Sequence, residues 1–439
     1  MNKTISNSYI AGEPEAIRSG YTNTLRQHPL RHVMTITVLL WITYAATNFR
    51  SPLSPIIVSD NNASALVRQL IFGGAGASAI GLLFLTRNIG AVIALNLPLC
   101  ALAGFVALST LWSPEPALSA KRAILYVFCF TALVTIVHSS QQPVRKMLQT
   151  IVYATAVIAG ISLLMYFALP KIYSVNPARP GLSGVAVHPN TLAPFLSIGL
   201  MLSLGMSAQN SREWFMLRAS QAALAFGLLL TFSVTTWLAT ALGLSIYTFL
   251  SASTYRRGII QLLIVGTLLL GTVIGWKNVQ ATAFETTGRD ASLSGRDALW
   301  SIVFNEGKQH PVFGKGYGAF WTEGKGRELV QTWNPRQSHN AYLDVWLDLG
   351  ILGLIGVGLC FHGALFTHWG RVRGESGSPR RRAMAALYAA TFSYMLSYAF
   401  AQSFFLRFDS FPFLVLTWST LLITNRDHNG INQEFPQIS

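Results

Sequence analysis

The run Met147-Leu148-Gln149-Thr150-Ile151-Val152-Tyr153-Ala154-Thr155-Ala156-Val157-Ile158-Ala159-Gly160-Ile161-Ser162-Leu163-Leu164-Met165-Tyr166-Phe167-Ala168-Leu169 sets the class of this chain. It carries no charge, and its apolar residues are not confined to one stripe. Its length matches the ~20 residues that an α-helix needs to cross hydrocarbon. Similar blocks recur on both sides of it. Read with a hydropathy window, the chain holds about twelve spans, at roughly 33–49, 66–85, 88–111, 122–138, 147–169, 190–208, 214–232, 234–252, 259–276, 340–367, 383–405 and 409–424. A β-barrel would show short alternating segments instead. The expected fold is an all-α polytopic membrane protein of about twelve transmembrane helices, without an internal repeat.

Composition points the same way. Of 439 residues 51% are hydrophobic and only 11% charged, where a soluble domain carries about a quarter. Mean hydropathy is positive. The formal net charge of +15 would suggest nucleic acid on a soluble protein. Here the basic residues sit mainly in short loops, where they orient a membrane protein, so no nucleic-acid partner is expected. Cys100, Cys129 and Cys360 lie inside apolar blocks. With no Cys-x-x-Cys pair or Cys/His cluster, neither a disulfide framework nor a zinc site is supported.

The loops alternate in charge. Arg87, Arg145 and Lys146, Arg212, Arg256 and Arg257, and then Arg371, Arg373 and Arg380 to Arg382 mark one face. By the positive-inside rule that face and both termini are cytoplasmic. The tail at 1–32 is polar, does not read as a cleavable signal peptide, and is expected to be poorly ordered. The same rule puts segment 277–339 outside, as one large periplasmic loop between the first nine spans (33–276) and the last three (340–424), with 425–439 a cytoplasmic tail. Lys121 and Arg122 break the pattern, at the outer end of the fourth span. They either snorkel to the interface or touch a lipid phosphate.

Two outer loops carry the residues most suited to chemistry. In Ser338-His339-Asn340-Ala341-Tyr342, His339 sits where the large loop meets the tenth span, and a histidine can act as a base near neutral pH. Asn340, Asp344 and Asp348 follow at four-residue spacing, close to one helical face. Acidic groups inside a span are costly and are functional candidates by default. The plain structural alternative is a helix cap at His339 and Asn340 with a buried partner for Asp348.

Ser294-Gly295-Arg296-Asp297-Ala298-Leu299-Trp300 reads as the start of a short amphipathic helix. Its guanidinium could clamp a diphosphate, and Arg289 is a second candidate of that kind. Each could equally sit in an exposed salt bridge with Asp290 or Asp297. The glycines of His310-Pro311-Val312-Phe313-Gly314-Lys315-Gly316-Tyr317-Gly318 fit neither the Walker spacing nor the dinucleotide fingerprint. They read as a tight turn that anchors aromatics at the interface. The shorter loop, 170–189, holds Arg179-Pro180-Gly181-Leu182-Ser183-Gly184 and His188-Pro189-Asn190. There is no Asp-x-Asp pair, no Gly-x-Ser-x-Gly and no Walker motif, which disfavours metal-bound nucleotide-sugar chemistry, soluble-type hydrolysis and nucleotide-driven pumping.

Taken together and in order, these segments resemble the O-antigen ligase and polymerase superfamily of bacterial envelope glycosyltransferases. The resemblance rests on Arg179 to Gly184 with His188 and Asn190, on Ser294 to Trp300 with His310-Pro311-x-x-Gly314-x-Gly316, and on His339-Asn340-x-Tyr342-Leu343 with Asp348-x-Gly350-Ile351-x-Gly353. Leu111-Trp112-Ser113-x-Glu115-Pro116 adds to it, so the match spans roughly 110–365. The glycine-aromatic stretch to Trp321 and Tyr342-Leu343-Asp344 look most like exopolysaccharide repeat-unit polymerases. One departure is that Thr231 to Thr236 lacks the arginine found there in many members, and Arg179 is the substitute we expect.

The resemblance implies an inner-membrane glycosyltransferase whose donor is a polyprenyl-diphosphate-linked oligosaccharide. The other partners it implies are an acceptor glycan, the lipid bilayer and other polysaccharide assembly and export proteins. His339 would be the base. Arg296, Arg179 and Arg289 would face the diphosphate, with Asn340, His188 and Asn190 near substrate. The donor is already activated, so no cofactor or metal is expected. A ligase moving finished glycan to lipid A core or protein is the alternative within this class. A transporter or flippase is the rival from another, but it should carry charge midway through several spans.

Overall fold

The computed structural model describes residues 61–85, 89–139, 143–168, 181–186, 188–252, 259, 266, 296–322, 335–374 and 379–424. The first expected span, the span at 259–276 apart from two positions, both tails, Arg179 and Arg289 lie outside them. Among the described residues the chain is all helical, with no strand.

The helices run α1 (Asn61–Leu85), α2 (Ile89–Leu95), α3 (Leu97–Leu108), α4 (Pro116–Ser139), α5 (Pro143–Ala168), α6 (Pro189–Ser203), α7 (Ser211–Leu230), α8 (Val234–Ser251), α9 (Arg296–Gly307), α10 (Ala341–Val357), α11 (Gly363–Gly374), α12 (Pro379–Tyr398) and α13 (Phe411–Thr424). Among the described residues four apolar segments are long enough to cross a membrane: Pro116–His138, Val144–Ala168, Val234–Ser251 and Ala341–Gly374. On α5 the residues Val157, Ile161, Leu164 and Phe167 all face outward, an exposed apolar stripe of the kind that marks contact with another apolar phase.

Several helix ends differ from the hydropathy reading, each for a local reason. The span expected at 88–111 is two helices, because Asn96-Leu97-Pro98 breaks the hydrogen-bond ladder, and Ser109–Leu111 finishes it as a 3-10 turn. The span expected at 190–208 ends at Ser203, and at 1.5 Å per residue its 15 residues fall short of the bilayer core. The span expected at 383–405 ends at Tyr398. Its apolar tail belongs to a loop, with Phe404, Phe405, Leu406 and Phe408 buried in protein.

Small residues let the helices approach. A Cβ on Gly76 of α1 would stand 2.1 Å from Phe128 of α4, and one on Gly243 of α8 would stand 2.5 Å from Met201. Apolar tails compete poorly with lipid for each other, so close backbone packing of this kind carries much of helix association in a bilayer. Aromatic rings fill the centre: Phe195 stacks on Phe411 at 4.2 Å, and Tyr126 and Phe361 flank Phe413.

The bundle has two unlike ends. One gathers the segments 109–122, 181–186, 188–189, 230–234, 310–322, 335–344 and 399–411. They are tied by bonds such as Leu182 N–H to Leu230 O (2.7 Å), Ala341 N–H to Ala399 O (2.8 Å) and Tyr317 N–H to Ser109 Oγ (3.0 Å). The other end joins 205–213, 250–252 and 379–384 through Arg380 to Ser207 and Arg382 to Leu250 O.

Candidate active site

The first end is built around a break in α10. Gly350 sits at φ 64°, ψ −161°, a region that suits only glycine. A Cβ there would lie 2.2 Å from Val312 O. The break frees backbone groups, and the glycine loop takes them. Lys315 N–H donates to Leu347 O (2.9 Å), and Gly316 N–H donates to Asp348 O (2.8 Å). In the other direction Ile351 N–H donates to Pro311 O (2.9 Å) and Leu352 N–H to Val312 O (3.3 Å). The loop is thus a backbone clip seated in a helix, not a phosphate cradle. Phe313 and Trp112 meet edge to face at 5.6 Å on its outer side, in keeping with an aromatic anchor.

The clip continues to Gly318. Arg122 of α4 donates to Gly318 O, which brings its guanidinium to the Asp348 side of the loop. Asp348 Oδ1 is shut off from solvent without a hydrogen-bond partner. Next to Gly318, Tyr317 donates to Leu406 O in the α12–α13 loop. Burial pushes the Tyr317 phenol well above its ordinary range, so it remains a neutral donor.

Asp344, one turn before Asp348, holds the segment that carries His339. Its Oδ1 accepts Ser338 N–H at 3.0 Å and Trp321 Nε1–H at 3.1 Å. Asn340 caps α10, its Oδ1 accepting from Tyr342 N–H (3.0 Å) and Leu343 N–H (3.2 Å). The capping alternative is therefore observed for Asn340. His339 itself lies just outside the helix, half-buried, at φ 58°. That left-handed conformation is uncommon for a residue with a side chain.

Gln337, itself held by Arg407, makes a polar contact with the imidazole. Arg407 donates to Gln337 Oε1 and stands 3.7 Å from Asp409. A guanidinium can only donate, so it settles which end of the Gln337 amide is oxygen. The amide nitrogen then faces His339 Nδ1, at 3.4 Å. A neutral His339 paired in this way accepts at Nδ1 and carries its proton on Nε2.

Arg296 opens α9, which packs against α10. Trp300, one turn on, donates to Ser338 O at 2.9 Å, and Leu299 and Val303 are buried with Phe320, Trp321 and Leu347. The α9 backbone is thereby anchored beside the His339 segment. His188 caps α6, its Nδ1 accepting Asn190 N–H at 3.0 Å. The structure thus brings together His339, Asn340, the start of α9, Arg122 and the two acidic residues. Sequence reading missed Arg407 and Gln337, because Arg407 lay in what read as the gap between two spans.

A family model described as O-antigen ligase matches residues 219–358. The exopolysaccharide production protein ExoQ of Rhizobium meliloti (strain 1021) is 23% identical over 306 residues, covering 66% of this chain and 68% of that protein. Arg296, Asp344, Asp348 and His339 lie within the matched family region, whereas Arg122, Arg407 and His188 lie outside it.

Proposed function

We propose, on the premise that this membrane protein is of the O-antigen ligase and polymerase superfamily, that it transfers oligosaccharide from a polyprenyl diphosphate to an acceptor glycan. The observation that carries the reading is the arrangement of His339 beside the Gln337–Arg407 pair, with Arg122 and the start of α9 on the same end of the bundle. The acceptor hydroxyl attacks the anomeric carbon, its proton passes to His339, and the lipid diphosphate leaves.

The geometry supports a specific division of labour. Gln337 touches the basic lone pair of His339 through a long contact, which an acceptor hydroxyl could replace. Proton removal of this kind contributes ~10²–10⁴-fold. We assign to Arg407, Arg122 and Arg296 the charge that develops on the diphosphate, which fixed cations stabilise without reorganisation. Arg179 and Arg289, outside the described residues, are further clamps under this reading, with His188 and Asn190 lining the approach. No metal or cofactor takes part.

The same reading puts about twelve spans in the inner membrane, with 277–339 periplasmic and both termini cytoplasmic. The clustering of Arg212 and Arg380 to Arg382 at the end opposite His339 supports it. A transporter is disfavoured, because the backbone groups freed at Gly350 are taken by the clip, whereas transporters use unwound backbone to hold ions.

The relative is named for exopolysaccharide production, which suits a repeat-unit polymerase, and the matching family is described as O-antigen ligase, which suits a ligase. Removing the chain from its cell distinguishes them. Loss of a polymerase leaves lipid-linked single repeats, and loss of a ligase leaves long lipid-linked chains. An unchanged glycolipid profile would overturn both. Purified protein should elongate or transfer glycan in excess chelator. Activity that disappears there and returns with magnesium would mean a metal site.

A further inference from the structure

At the end of the bundle remote from His339, a cavity of about 460 Å³ opens between α6, α8 and α12. That lies within the roughly 300–1,000 Å³ typical of ligand pockets. Leu204, Met206 and Met384 give it an apolar wall, and Ser207, Tyr247 and Arg380 give it a polar one. Arg380 donates to Ser207 Oγ at 3.0 Å, so its guanidinium is held at the rim. Arg381 and Arg382 follow it in sequence, and Arg382 Nε is tied to Leu250 O at 3.1 Å. Close by in sequence, Trp214 and Phe215 are exposed near the start of α7, with Arg218 over the Trp214 ring. Exposed tryptophan beside arginine is the signature of the level where hydrocarbon meets headgroups.

We propose that this cavity is a binding site for an anionic phospholipid, with the phosphate at Arg380 and the first carbons of an acyl chain along Met206 and Met384. The two halves of the cavity match the two halves of such a lipid, and a guanidinium recognises phosphate through paired donors. Basic pockets between membrane helices take anionic headgroups for the same reason. The site uses no residue of the glycan-transfer reading and stands independently of it.

Native mass spectrometry of the full-length chain tests this, with phosphatidylglycerol and phosphatidylcholine of matched acyl chains as probes. The wild type should retain phosphatidylglycerol over phosphatidylcholine. Arg380→Gln should cut that retention by about tenfold, the loss expected for one charge-assisted contact. Met206→Trp should cut it too by filling the apolar wall, and Lys146→Gln, an exposed basic residue outside the cavity, should not. If Arg380→Gln does not fold, Met206→Trp leaves every charge in place and decides alone. Equal retention of both lipids, a wild-type profile in Met206→Trp, or an equal loss in Lys146→Gln would overturn the proposal. Displacement of the lipid by millimolar inorganic phosphate would also overturn it, in favour of a soluble anion.

Discussion

The carboxylate of Asp344 accepts the backbone N–H of Ser338, one residue before His339, at 3.0 Å. A span residue that looked like a membrane-embedded acid is thus a strut for the loop segment at the helix mouth. The same oxygen accepts Trp321 Nε1–H, so one group ties the glycine loop and the His339 segment to α10.

Asp344→Ala should therefore strip two donors of their acceptor. Each orphaned buried donor costs on the order of 1–3 kcal/mol. Thermal unfolding in detergent should fall, and activity should fall further because His339 loses its support. Asp344→Asn keeps an oxygen in place and should fold nearly as well as the wild type. An Asp344→Ala protein as stable as the wild type would mean that the strut carries no weight.

The break in α10 predicts a contrast between two glycines of one helical segment. Gly350→Ala sets a methyl against Val312 O in a left-handed conformation. Such strained positions cost about 1–3 kcal/mol before any clash. The clip should unseat, exposing 311–316 to protease. Gly358→Ala, where the added carbon meets nothing within 4 Å, should be tolerated. Equal protease resistance in both would contradict the clip.

Arg407→Gln and Arg296→Ala should both impair turnover in a folded protein, by ~10²–10³-fold where a fixed donor to developing charge is lost. Lysine should not rescue either position, because it lacks the guanidinium fork. Initial rates against donor concentration measure this. Wild-type rates in both variants would make these arginines surface residues.

Topology is testable with a periplasmic phosphatase reporter. Fused after Trp321 it should be active, and fused after Arg373 inactive. The reverse would put the candidate site on the wrong face for a periplasmic transfer.

Hydropathy made the helical class legible, because uncharged blocks near bilayer length have few soluble uses. It overran where apolar residues bury in protein instead of lipid, as in Phe404, Phe405 and Phe408 beyond the end of α12. His339 and Asn340 stood out because they stand where a polar loop meets an apolar span. Arg407 did not, since its link to Gln337 joins residues 70 apart in sequence and no periodicity encodes such a contact. The break at Gly350 was likewise hidden, because a glycine in an apolar span reads as helix packing until its φ is known.

His339→Asn is the most direct test of the central claim. Asparagine tolerates the left-handed conformation that His339 adopts, so the α10 cap and the strut from Asp344 should survive. Its carboxamide, however, has no basic nitrogen to take a proton. The variant should insert and unfold like the wild type, yet lose polymer formation by ~10²–10⁴-fold, with lipid-linked single repeats accumulating on a glycolipid gel. A folded His339→Asn protein with a wild-type polymer profile would contradict the account and remove His339 from the chemistry.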